Sequence, residues 1–136
     1  TAAEMGYLVF ATLHTNSAAK TIDRIIDVFP EEQQNQVRTM LAYSLKGIIA
    51  QLLIPQKDGK GRVAVNELLF YDGSLPNIIR EGAVHKIISL IEGGRGKGMQ
   101  LMDDAILVRL KEGVISGDNA YRWATEKKKF QHLQKS

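Results

Sequence analysis

Seven consecutive residues, Tyr7-Leu8-Val9-Phe10-Ala11-Thr12-Leu13, are nearly all apolar and favour extended backbone. A half-buried strand alternates apolar and polar positions. A run without that alternation is the mark of a strand covered on both faces, as in the parallel sheet of an α/β protein. The run stops at His14-Thr15-Asn16-Ser17, four polar residues. Beyond them Ala18, Ile22, Ile25, Ile26 and Phe29 recur at spacings near three and four, which predicts a helix with Asn16 or Ser17 as its N-cap. A polar cluster between a strand's carboxyl end and a helix start is where open α/β sheets bind ligands. The chain therefore reads as α/β, with its candidate site at this junction.

The rest of the pattern is compatible. Pro30-Glu31-Glu32 opens a second helix, with Pro early and acids at the positive end of the dipole. Its apolar stripe runs through Val37, Met40, Leu41, Leu45, Ile48 and Ile49, and Gly47 is expected near its end. Residues 50–54 and 62–71 read as a hairpin about the turn signal Asp58-Gly59. From Ser74 the pattern is helical: Pro76 to Arg80; a helix with Val84, Ile87, Ile88 and Ile91 inward; one from Leu101 to Leu110 with Ala105 and Val108 inward; and a last one after Ser116. This gives two parts, a mixed 1–73 and an all-helical 74–136.

Charge decides against nucleic acid as a partner. The chain carries +3, but residues 122–136 alone carry +4, so the other residues are slightly acidic at −1. Non-specific binding to nucleic acid needs several phosphates neutralised from one surface. A solvated terminal helix accounts for the tail better. With no cysteine, disulfides and thiolate zinc sites are excluded. No apolar run reaches the roughly 20 residues of a membrane-spanning helix. The sequence opens on Thr1 within what reads as a helix end, and a fragment of a longer chain is expected.

Two motifs invite a phosphate-binding reading. Gly93 to Gly98 has the glycine spacing of a P-loop, but Met99-Gln100 stands where Lys-Ser/Thr would have to be. That loop is expected to be a flexible helix connection. His14 is the stronger candidate, since an imidazole at a strand terminus flanked by Thr12, Thr15 and Asn16 can donate to a phosphate oxygen.

Leu8-Val9-Phe10-Ala11-Thr12-Leu13-His14-Thr15-Asn16-Ser17-Ala18 closely resembles the His box of the type II/IV secretion ATPases. Residues 1–6 resemble the segment joining that family's Walker B strand to the box. Lys20 through Pro30 is similar to the continuation found in the type IV pilus retraction (PilT-like) branch. Ser74-Leu75-Pro76-Asn77-Ile78-Ile79-Arg80-Glu81 resembles the signature helix of retraction ATPases, and Gly98-Met99-Gln100 with Asp103 matches a further family stretch. The likeness runs through essentially the whole chain in order.

The resemblance implies a carboxy-terminal portion of a RecA-like ATPase core followed by a helical subdomain. It belongs to a homohexameric, cytoplasmic motor peripheral to the bacterial inner membrane that uses ATP and Mg²⁺ to retract pili. Inner-membrane pilus platform proteins are the implied partners. In this reading His14 senses the γ-phosphate, with Thr12 and Thr15 beside it. Arg62 touches base or ribose, Glu4 helps organise the catalytic strand, and Arg80 and Glu81 transmit movement. Lack of cysteine, hence of the four-cysteine zinc module common in extension and secretion ATPases, favours the retraction branch. Pro76 departs from the family's usual Arg, and the loop before Gly98 is a residue longer. No Walker A lysine or Walker B carboxylate is present, so this chain alone is expected to be inactive, because phosphoryl transfer depends on those groups. The alternative is a non-catalytic assembly or regulatory module on a pilus or type II secretion motor.

Overall fold

The computed structural model describes residues 2–134. Thr1, where the family-like opening begins, and Lys135, counted in the basic tail, lie outside the described residues. After a single turn at Ala3–Met5, the expected strand over residues 7–13 is absent. These residues have no regular structure and are exposed, Leu8 at 80 % and Phe10 at 88 %. A strand meant for burial on both faces needs neighbours on both edges and layers above and below. No described residue pairs with this segment, and composition cannot substitute for a ladder.

The helix that follows forms as the spacing requires. Helix α1 spans Ala18–Asp27, capped by Ser17, whose Oγ accepts from the Lys20 N–H at 3.1 Å. Ala18, Thr21, Ile22 and Ile26 are its buried side, while Phe29 lies beyond its end, partly exposed. Helix α2, Glu31–Ser44, stops short of the expected point. Ile48 and Ile49 belong instead to strand β1, Gly47–Pro55, paired antiparallel with β2, Arg62–Phe70. A nine-residue ladder from Gly47↔Phe70 to Pro55↔Arg62 satisfies backbone groups that a helix containing Gly47 would hold less well, and β-branched Ile favours it. In the connecting turn the Lys60 N–H donates to the Asp58 carboxylate at 2.8 Å, and Gly59 takes a positive φ of 73°.

Helices α3 (Leu75–Arg80), α4 (Ile87–Gly93), α5 (Met102–Lys111) and α6 (Gly117–Trp123) complete the fold. Ile88 and Val108, expected inward, are about half exposed at 43 % and 50 %, because these short helices each turn only a narrow stripe to the core. The glycine loop is a tight turn held by ion pairs from Arg95 to Asp104 at 2.8 Å and from Lys97 to Asp72 at 3.0 Å. A side chain at Gly94 would collide with Met99, so that glycine serves close packing. Gln100 then exchanges both backbone hydrogen bonds with Leu68. The basic tail is a 3-10 helix over Lys127–Leu133 with its lysines exposed, as a solvated helix would have them, and it is anchored by buried Phe130.

One face of the hairpin is the shared wall of two apolar clusters. Ile48 and Leu69 join α1 to α4 in the first. Ala50, Ile54 and Val65 join Met102, Ala105, Ile106, Ile115, Ala120 and Phe130 in the second. Both clusters take side chains from either side of residue 73.

Candidate functional site

The polar cluster that ends the apolar run lies at the start of α1 and borders an open recess of about 590 Å³. Leu13, His14, Thr15 and Asn16 form one rim, Lys20, Asp23 and Arg24 on α1 form another, and Gln51 and Leu52 of β1 form the floor. Spacing explains the grouping. Asn16, Lys20 and Arg24 are four apart and so share one side of the helix and its cap.

Local hydrogen bonds fix the rim. Thr15 and Thr21 share a hydroxyl–hydroxyl bond of 2.5 Å, and the Thr21 hydroxyl also lies 2.8 Å from the Ser17 carbonyl. Lys20 Nζ donates to Asn16 Oδ1 at 3.2 Å. At the base, the Ala18 N–H donates to buried Glu67 at 2.9 Å. Asp23 is the only carboxylate on the rim. Partial burial, then repulsion from Asp27, raises its pKa above the ordinary carboxylate value, with Arg38 opposing. His14, Lys20, Arg24 and the exposed amide of Asn16 outnumber that carboxylate and make a surface suited to an anion.

His14 is exposed and follows a segment without regular structure, so the expected strand tip is corrected to a strap with no ladder behind it. Thr15 joins the recess, whereas Thr12 is exposed and outside its lining. Arg62 is not part of this site. It opens β2 opposite Pro55, roughly 10 Å along the strand from Leu52 at about 3.4 Å per residue. Glu4 is exposed in the first turn. Arg80 and Glu81 lie at the end of α3, away from the recess, where the Arg80 guanidinium donates to Tyr43 Oη at 2.7 Å and also to Asn77 Oδ1. Sequence reasoning passed over Lys20 and Arg24, although their spacing from Asn16 was available. It also missed Glu67, the one carboxylate in phase with apolar Val63, Val65 and Leu69 on β2.

For a nucleotide, the donors and cations suit the phosphate end. Among the described residues no group of three His, Cys, Asp or Glu comes together to hold a metal ion. No described helix is long and apolar enough to cross a membrane.

Known proteins place this arrangement in a family. Residues 1–122 match the type II/IV secretion system protein family. The chain is 46 % identical over 124 residues to a twitching motility protein of Neisseria gonorrhoeae, covering 91 % of this chain and 33 % of that protein. It is 49 % identical over 120 residues to a type IV pilus retraction ATPase, PilT, of Pseudomonas aeruginosa, covering 88 % of this chain and 35 % of that one. The crystal structure of the pilus retraction motor PilT with bound ADP superposes with a TM-score of 0.79 and 38 % identity, over 93 % of this chain and 35 % of that chain. This chain thus spans about a third of the length of these relatives and has the fold of the carboxy-terminal region of the PilT ATPase, within a RecA-like family. The chain belongs to the type II/IV secretion system protein family.

Proposed function

We propose that this chain is the nucleotide-responsive carboxy-terminal portion of a hexameric ATPase that powers type IV pilus retraction. The observation that carries the reading is the recess at the start of α1, which His14, Asn16, Lys20 and Arg24 line together. Similarity to a retraction ATPase and to an ADP-bound retraction motor supports a nucleotide as that anion. In the complete protein the phosphate end of ATP faces His14 and the α1 cations. Thr15 steadies the rim through Thr21, and Thr12 acts only as a neighbour in the strap.

Bound ATP·Mg²⁺ would supply the phosphoryl group and its charge-neutralising metal. The residues here contribute recognition of phosphate and carry the imidazole at the edge of the recess. Carboxylates for the metal and the phosphate-cradling loop belong to the part of the family beyond this third, which leaves this chain alone without turnover. The mixed part, 1–73, carries the recess. The helical part, 74–136, is packed onto it through shared cores and presents Arg80 and Glu81 to the pilus machinery at the inner membrane. Arg62, which opens β2 outside the recess, contacts the base or ribose of the nucleotide.

The test is His14→Ala in the complete protein. Retraction should be abolished with thermal melting unchanged. Normal twitching by that variant would remove the imidazole from the mechanism. For the isolated chain, magnesium-dependent ATP turnover in a monodisperse sample would show that the missing groups are not needed.

A further inference from the structure

The inward face of the hairpin is apolar except at Glu67, which lies on the seam between the two apolar clusters and is 8 % exposed. Its two oxygens serve different helices. Oε1 accepts from the N–H of Ala18, the first residue of α1, at 2.9 Å, and Oε2 accepts from the N–H of Met102, the first residue of α5, at 3.1 Å. Each is a charge-assisted bond to the positive end of a helix. Helix α1 begins four residues after His14. On α5 the path continues through Asp103, also buried, whose carboxylate accepts from the N–H groups of Thr125 at 2.7 Å and Glu126 at 2.9 Å. A continuous line of hydrogen bonds and helix thus joins the recess to the last turns of the chain.

We propose that Glu67 is a positioning residue that fastens the His14 end of α1 to the start of α5, so that a nucleotide-driven change at the recess reaches the carboxy-terminal helices through this carboxylate. The inference rests on the recess being a nucleotide phosphate site. Only a group with two acceptor oxygens can hold both helices at once. Glutamine has the same size, but its carbonyl satisfies one N–H while its amide turns a donor toward the other. Aspartate keeps the charge but is one methylene short of the span.

The experiment is hydrogen exchange on the complete protein with and without ADP, read in peptides covering residues 14–20 and 100–106. In the unmodified protein ADP should slow exchange in both, by about tenfold. Glu67→Gln should keep the slowing at 14–20 and reduce it below twofold at 100–106, and Glu67→Asp should do the same. A simple packing role would change exchange equally with and without ADP, leaving the ADP-dependent slowing in place at both segments. If either variant keeps the ADP-dependent slowing at 100–106, Glu67 is not the link and the proposal is overturned, with the nucleotide site intact. If the unmodified protein shows no slowing at 14–20 with ADP or with a non-hydrolysable ATP analogue, the nucleotide reading of the recess fails, and the link falls with it. Should Glu67→Gln not fold, the Glu67→Asp result decides.

Discussion

Residues 7–13 and residues 48–54 are both seven-residue runs with a single polar interruption, Thr12 and Gln51, and they behave in opposite ways. In the second, Ile48, Ala50 and Ile54 are buried and every residue has a partner on β2. In the first, Leu8 and Phe10 are more than three-quarters exposed and nothing is paired. The difference is not propensity, since the strap has the more strand-prone residues of the two. A hairpin brings its own second strand after a short turn, whereas a central strand of a parallel sheet depends on strands far away in sequence. Local sequence therefore secures β1 and leaves residues 7–13 dependent on a partner.

That contrast can be broken by substitution, beginning with the paired region. Leu69→Ala removes a fully buried side chain from the wall of the first cluster and should cost about 4 kcal/mol by urea unfolding. A loss near zero would mean the hairpin is no better anchored than the strap. Glu67→Ala strands two buried N–H donors in the same wall and should cost about 3 kcal/mol, read in the same assay. At the boundary between the two regions, Ser17→Ala deletes the α1 cap for about 1 kcal/mol, seen as a lower melting temperature.

A smaller effect appears only in acid. Hydrogen bonds from the Ser74 backbone and hydroxyl, and then Lys97, hold Asp72 just past β2 well below the ordinary carboxylate pKa. A lowered native pKa gives stability that is present above the unfolded value of about 4 and lost as pH falls through the native one. Asp72→Asn should therefore flatten the decline in urea midpoint below about pH 4, and the change should be slight because the group is solvent-exposed. Last, Phe10→Ala should change the stability of this chain by less than about 0.5 kcal/mol, since an 88 % exposed ring has little to lose. A cost comparable to Leu69→Ala would show that the strap is packed after all.

Much of the local architecture was readable from residues alone. Ser17 and Ser116 cap their helices as their positions promised, and the hairpin turns at Asp58-Gly59. The glycine loop was expected to be flexible and is instead tight, because the Lys97–Asp72 ion pair that holds it joins residues far apart in sequence. The end of α2 was misplaced because Ile48 and Ile49 fit a helical stripe as well as a strand, and only pairing with Leu69 and Leu68 decides between them. At the recess, His14 was singled out by its neighbours in sequence. Gln51 and Leu52 could not be, since they reach the recess from a different element. Glu67 was within reach: a carboxylate in the buried phase of a strand must find donors, and helix starts are the richest source of them.

The exchange of backbone bonds between Leu68 and Gln100 leaves the sheet lopsided. It adds a bridge on the far side of β2, while among the described residues no strand pairs with the outer margin of β1. Carbonyls and amides left pointing into water there can accept a stray extended segment from another molecule. Concentrated solutions of the isolated chain should on this account self-associate along β1, and a lysine or proline placed at that margin would be the first remedy to try.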